Sequence, residues 1–196
     1  ASGDPMNFGV GSNLVRTFGD DAVIVHPAPG AFSLAAARMG WSIPDVDCFT
    51  IHGRPLTTLI KYIFPGARLL VLSNNGSSAA QVASLLEEKG YGNSHISVLE
   101  HLGGNNEKRI DGIAKSWSYT CGQDLNTLAI RCVGVADTIP LSRAPGLADD
   151  AFEHDGQLTK CEVRAITIAK LQPLPGQVLW DIGAGSGSVS IEWLRL

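Results

Sequence analysis

The stretch Val178-Leu179-Trp180-Asp181-Ile182-Gly183-Ala184-Gly185-Ser186-Gly187-Ser188 decides the fold. Its apolar part, with residues 177–182, reads as a strand that runs into a Gly-x-Gly-x-Gly turn, and a helix opens at about Ser188. Such a turn needs glycine because the chain reverses tightly and a ligand must reach the backbone with no Cβ in the way. Strand, glycine loop and helix in that order begin an α/β unit. The dinucleotide fingerprint Gly-x-Gly-x-x-Gly, started at Gly183, needs a third glycine where Ser188 stands. That mismatch weakens a nicotinamide or flavin reading. A glycine-rich turn without a ligand is the competing view, but three glycines each cost stability and need a reason.

Upstream, Thr159-Lys160-Cys161-Glu162 has capping-box spacing, with Thr159 at the N-cap and Glu162 at N3 of a helix that Pro173 and Pro175 stop. Before it, residues 140–157 read as an acidic linker carrying Asp149, Asp150, Glu153 and Asp155. The expected boundary lies near Ala144, giving domains at 1–144 and 145–196. In the first, residues 22–26 read as a short buried strand turned by Pro27-Ala28-Pro29-Gly30. A helix over 31–39 should end at Gly40. Residues 68–73 form a further strand closed by Asn74-Asn75-Gly76. Ser77 is the expected N-cap of a helix over 78–89 with Val82, Leu85 and Leu86 on one face. Strands follow at 96–99 and 125–133, the latter with antiparallel pairing at the sheet edge. The fold class is α/β.

Composition narrows the function. The 196 residues are 44% hydrophobic, 17% charged and 7% aromatic, with a mean hydropathy of +0.11, which suits globular domains. A net charge of −4 offers no basic field for nucleic acid or anionic lipid, and no apolar run approaches the ~20 residues that span a bilayer. Cys48, Cys121, Cys132 and Cys161 lack metal-ligand spacing and read as reduced, mostly packed thiols in a cytoplasmic protein, with no metal. The serines sit in no nucleophile-elbow context, and the scattered histidines His26, His95, His101 and His154 read as structural or surface. Ser2-Gly3-Asp4-Pro5 followed by Phe8-Gly9-Val10-Gly11 either admits a ligand to the backbone or is a plain turn. His52-Gly53-Arg54-Pro55 either meets a carboxylate through Arg54 or is a solvated loop.

Taken in order, Ser2-Gly3-Asp4-Pro5, Phe8-Gly9-Val10-Gly11, residues 27–40 and His52-Gly53-Arg54 resemble the tetrapyrrole methylase family, in the branch acting late in corrin synthesis. Asp181 two residues before Gly183, with Thr159 to Arg164 upstream, resembles motif I of a class I S-adenosylmethionine methyltransferase. The resemblance implies a partial tetrapyrrole methylase domain followed by the start of a Rossmann-like domain. It implies S-adenosylmethionine contacts at Gly3, Asp4 and Pro5, and at Gly30 and Ala31, where a family Ser-Ser pair is replaced and only backbone contacts remain. In the second domain the implied contacts are Thr159, Asp181, Gly183, Ala184, Gly185, Ser186 and Gly187. Because precorrins carry several carboxylates, His52, Arg54, Lys160 and Arg164 are the substrate candidates.

The first domain would methylate C-5 of the precorrin, and the second C-15 with loss of the C-12 acetate carboxyl. No residue is assigned to catalysis, since transfer from a sulfonium needs mainly alignment. Self-association of the full-length protein is expected, and neither nucleic acid nor membrane as partner. The absence of an initiator methionine and a last helix that has barely begun lead to the expectation of a piece of a longer enzyme. The alternatives are a class I methyltransferase with another acceptor (a cobalt-precorrin, a nucleic acid or a protein) and, behind it, a nicotinamide oxidoreductase.

Overall fold

Near-continuous apolar runs such as Leu69-Leu70-Val71 and Leu128-Ala129-Ile130 dictate a sheet with two apolar faces. A computed structural model, which describes residues 3–136, 138 and 140–196, places them in one five-stranded mixed sheet. The chain divides into two units, Ala1–Ile139 and Pro140–Leu196.

The first unit contains α1 (Gly11–Phe18), α2 (Ala31–Met39), β1 (Asp47–Thr50), β2 (Arg68–Leu72), α3 (Ser78–Glu88), β3 (His95–Glu100), β4 (Lys108–Ile113) and β5 (Asn126–Arg131). The sheet order is β1-β2-β5-β3-β4. The 125–133 stretch, expected to pair at an edge, supplies the central strand instead. It runs antiparallel to both neighbours, with Leu128 opposite Val71 and Val98. A strand covered on both faces and paired on both sides has no room for charge, and Leu128, Ala129 and Ile130 are buried. On one face Leu69, Val71, Ile96, Val98, Leu128 and Ile130 pack with Val82 and Leu86 of α3. On the other, Leu70, Leu99 and Ala129 pack with Phe32, Ala35 and Ala36 of α2. Each buried Val, Leu, Ile or Phe among them contributes roughly 1.5–3 kcal/mol.

Helix ends follow the sequence in part. Gly40, at φ 65°, stops α2, and the Trp41 N–H reaches back to Ala36 O at 2.9 Å. Ser77 does not cap α3 with its side chain. Its hydroxyl donates to Asn75 Oδ1, while Ser78 Oγ accepts from the N–H groups of Asn74 and Asn75, each at 3.1 Å. Residues 22–26 are not a strand: Ile24 is 85% exposed, and no described strand lies beside the segment to complete a ladder. Strands β1 and β4 and helix α1 were not foreseen. β1 has four residues and polar ends, while β4 is a charged edge strand whose side chains are only partly covered.

The second unit contains α4 (Cys161–Leu171), α5 (Ser188–Leu194) and a single helical turn at Asp149–Ala151. α4 begins one residue late for the expected capping box. Lys160 is its N-cap, with no side-chain cap bond, so Thr159 and Glu162 do not form the reciprocal pair. The expected strand at 177–182 is unpaired, with Trp180 83% and Ile182 93% exposed, because no described strand offers it a ladder. The helix opening at Ser188 is present. Among the described residues no helix is long and apolar enough to cross a membrane.

Leu128→Ala should lower unfolding free energy by ~2–5 kcal/mol in denaturant melts followed by circular dichroism. Leu125→Ala, at the exposed residue just before β5, should change it by less than about 0.5 kcal/mol.

Candidate functional site

Five chain segments converge on one cleft in the first unit, of about 890 Å³. Two come from the amino-terminal part. The turn through Gly3 and Asp4 is knotted by its own hydrogen bonds: Met6 N–H donates to Asp4 Oδ1 at 2.8 Å, and Gly11 N–H to Pro5 O at 2.9 Å. Glycine is compulsory there by crowding, because a Cβ on Gly9 would lie 2.5 Å from Pro5 O and one on Gly11 2.7 Å from it. The start of α2 supplies Gly30 and Ala31. Gly30 caps the helix without a side-chain bond, so the first-turn N–H groups meet no side-chain acceptor from their cap.

The other three segments are the ends of β1 and β2 and the stretch that leads into the start of β5. They bring Thr50, His52 and Arg54, then Ser73 and Asn74, then Asp124, Asn126 and Thr127. Hydrogen bonds lock them together. His52 N–H donates to Thr50 Oγ1 at 3.0 Å, Gly76 N–H to Asp124 Oδ1 at 2.9 Å, and the Ser73 hydroxyl to Asn126 Oδ1. The Gly76 turn fits so closely that a Cβ there would come within 2.0 Å of Gly122 O. Phe8 closes one side. It holds a left-handed conformation, φ 56°, with its ring edge-on to Phe32 at 6.1 Å and the Arg54 guanidinium 5.9 Å from its centroid. A bulky residue at positive φ is strained, and such strain collects at ligand sites.

Of the residues picked from sequence in this unit, Gly3, Asp4, Gly30, Ala31, His52 and Arg54 line the same cleft. Pro5 does not line it; its carbonyl holds the turn. Ser2 lies outside the described residues. Asn74, Asp124, Asn126 and Thr127 were missed. The Asn74-Asn75-Gly76 run signalled a turn, but nothing local announces that Asp124 and Asn126 come back to it from 48 and more residues away. Burial pushes the Cys132 thiol up to about 12, which keeps it protonated and inert.

The second unit gives a mixed result. Gly183, Gly185 and Gly187 have φ of 82°, 57° and 69°, so the loop needs glycine for backbone conformation, and Ala184 and Ser186 sit between them. The Ser190 hydroxyl of α5 donates to Asp181 Oδ2, tying the carboxylate to the helix that follows the loop. Thr159 and Lys160 are exposed before α4. Arg164 is a correction: it is 0% exposed and cannot meet a substrate carboxylate. Its Nε lies 3.3 Å from Glu192 Oε1, its Nη1 2.9 Å from Asp149 Oδ1, and it donates also to the carbonyls of Thr159 and Leu147. The guanidinium stacks on Phe152 at 4.4 Å. Glu192, 1% exposed, also accepts from Leu147 N–H at 2.9 Å and Gly146 N–H at 3.1 Å. The expected acidic linker is therefore partly structural: Asp149 and the Leu147 backbone fasten α4 to α5. The Arg164 hydrogen bond holds the Asp149 carboxyl below the usual carboxylate range against the opposing effect of burial, with Lys160 adding to the lowering.

Comparison with known proteins matches residues 1–116 to the family described as Tetrapyrrole (Corrin/Porphyrin) Methylases and residues 150–196 to a Precorrin methyltransferase domain. The chain is 44% identical over 194 residues to a precorrin-6Y C(5,15)-methyltransferase (decarboxylating) from Sinorhizobium sp, covering 99% of this chain and 47% of that protein. A probable cobalt-precorrin-6B C(15)-methyltransferase (decarboxylating) of Pyrobaculum calidifontis is 48% identical over 50 residues, 24% of this chain and 26% of that protein. Among solved structures, the methyltransferase CobJ superposes with a TM-score of 0.51 at 14% identity, covering 72% of this chain and 65% of that one, a likeness of fold alone. The chain spans about half the length of the curated relatives it matches along its whole extent.

Arg164→Ala should destabilise the second unit by ~3–5 kcal/mol in urea unfolding, because Glu192 is left buried and uncompensated. A second test concerns pH. Asp149 has a depressed folded value, so its contribution is complete above its unfolded value of about 3.9 and is lost as pH falls through the folded one. The stability gap between wild type and Asp149→Asn should be constant near neutral pH and shrink below about pH 4.

Proposed function

The chain belongs to the tetrapyrrole (corrin/porphyrin) methylases, and on that premise we propose that it serves S-adenosylmethionine-dependent C-methylation of precorrin-6Y in cobalamin synthesis. The observation that carries the reading is the gathering of Gly3, Asp4, Gly30, Ala31, His52 and Arg54 around one cleft. The residues fit the cofactor. Asp4 and Asp124 oppose a cationic ligand, Asn74 and Asn126 bring amides for hydroxyl groups, and Gly3 and Gly30 keep side chains out of a narrow wall. A Cβ on Gly30 would already sit 3.3 Å from Asp4 Cβ.

When bound, S-adenosylmethionine supplies an electrophilic methyl group on a sulfonium sulfur. The chain's own task is alignment and exclusion of water, which accounts for an acid–base constellation being unnecessary. Arg54 and His52, on the same cleft, suit the carboxylates of a precorrin, Arg54 by a bidentate fork. In this reading the first domain, 1–144, methylates C-5. The second, from 145 onward, methylates C-15 and releases carbon dioxide from the C-12 acetate, as part of one fused enzyme. Asp181, Gly183, Ala184, Gly185, Ser186 and Gly187, with Thr159, are its cofactor contacts, and Lys160 remains as its substrate cation. Self-association and a cytoplasmic setting belong to the same proposal.

Titration calorimetry with S-adenosylhomocysteine tests it. Saturable binding should weaken at least ~10-fold in Ala31→Trp, which fills the cleft, while thermal stability stays near that of the wild type. Arg54→Gln should raise KM for the precorrin and leave the homocysteine affinity unchanged. Saturable NADH binding in place of S-adenosylhomocysteine would overturn the reading.

A further inference from the structure

The sheet face that bears Thr50, Leu72 and Thr127 at the cleft carries a second feature at its opposite end. The register sets Arg68 of β2 directly opposite Arg131 of β5, and Arg131 directly opposite His95 of β3. Direct partners project to the same face, so three basic side chains stand in one row across three strands. Like charges placed opposite one another destabilise a sheet, and this row is kept in a chain whose net charge is −4.

The surrounding charges are already spent. Arg38 pairs with Glu107, and Arg109 with Asp111 at 2.8 Å. Burial works to raise the Asp111 carboxyl, but the Ser97 hydroxyl and Arg109 bring it below the ordinary range, so it neutralises Arg109. Among the described residues neither Arg131 nor His95 has an ion-pair or hydrogen-bond partner for its side chain, and Arg68 has only the face of Trp41, 5.8 Å from its guanidinium. Arg131, His95, Arg109 and Asp111 line a cavity of about 490 Å³ with Trp41 and Met39 as its apolar wall. That is the size and make-up of a small-molecule site: a few polar groups converging beside a flat apolar surface.

We propose that this end of the sheet binds a small anion with paired oxygens, carboxylate or phosphate, on Arg131 with His95 beside it, its apolar part lying against Trp41. Binding supplies the counter-charge that the row lacks. The site is separate from the cleft and from the reading given to it.

Pyrophosphate and tricarballylate, each against sodium chloride of equal ionic strength, serve as probes of the two oxygen chemistries on the 196-residue chain. At ~10 mM, at least one should raise the melting temperature above the chloride control and shift the Nε–Hε resonance of Arg131, and the tighter of the two identifies the anion class. Arg68→Gln with Arg131→Gln should abolish the ligand-dependent rise, weakening binding at least ~10-fold, while the ligand-free melting temperature holds or increases as repulsion is relieved. Arg54→Gln should keep the full effect. The proposal falls if neither probe exceeds chloride, if the double variant binds undiminished, or if Arg54→Gln removes the effect. Should the double variant fail to fold, the Arg131 resonance in wild-type protein decides alone: an unmoved signal sinks the idea.

Discussion

The placement of β5 between β2 and β3 is the constraint on which the first unit depends. It is the last of the described strands and the central one in the sheet, so nothing on either face is complete until it arrives. Its arrival also builds the cleft. Asp124, just before β5, and Asn126, its first residue, accept from Gly76 N–H and Ser73, groups that belong to the end of β2 and the turn after it. Core and site are thus closed by the same long-range pairing, and a fold assembled from such distant partners pays loop-closure entropy before its contacts form.

The two glycine-rich turns meet different physical demands. At Gly9, Gly11 and Gly76 the restriction is space, since any Cβ would overlap a carbonyl oxygen. At Gly183 and Gly187 a Cβ would meet nothing within 4 Å, and the restriction is the positive φ. The second loop is held through α5 instead. Ser190 fixes Asp181, and Glu192, farther along the same helix, is gripped by Arg164. Fully buried charges are tolerated there because each has several partners, including the backbone of Gly146 and Leu147.

Much of this was legible in the sequence where the signal is local. The extent of α2, its stop at Gly40, the start of α5 at Ser188 and most of β2 and β3 follow from periodicity and helix stops. What failed needed a partner. Residues 22–26 and 177–182 have the composition of strands, yet a strand exists only as a ladder, and none of the described strands pairs with them. β4 was hidden by Lys108, Arg109 and Asp111, which an edge strand accepts because one side of it faces solvent. For the site, Gly3, Asp4, Gly30, Ala31, His52 and Arg54 were chosen through resemblance to a family, and the structure gathers them in one cleft. Arg164 was misjudged because a cation on a helix reads the same whether it faces a substrate or a buried glutamate 28 residues away.

The claim at the centre of this account is that the cleft hung from β5 receives S-adenosylmethionine. Amide chemical-shift mapping by heteronuclear NMR, with S-adenosylhomocysteine added to isotopically labelled protein, tests it most directly. The account predicts saturable shifts concentrated at Gly3, Asp4, Gly30, Ala31, Asn74, Asn126 and Thr127. Shifts confined to other surfaces, or none in folded protein at saturating ligand, would contradict it.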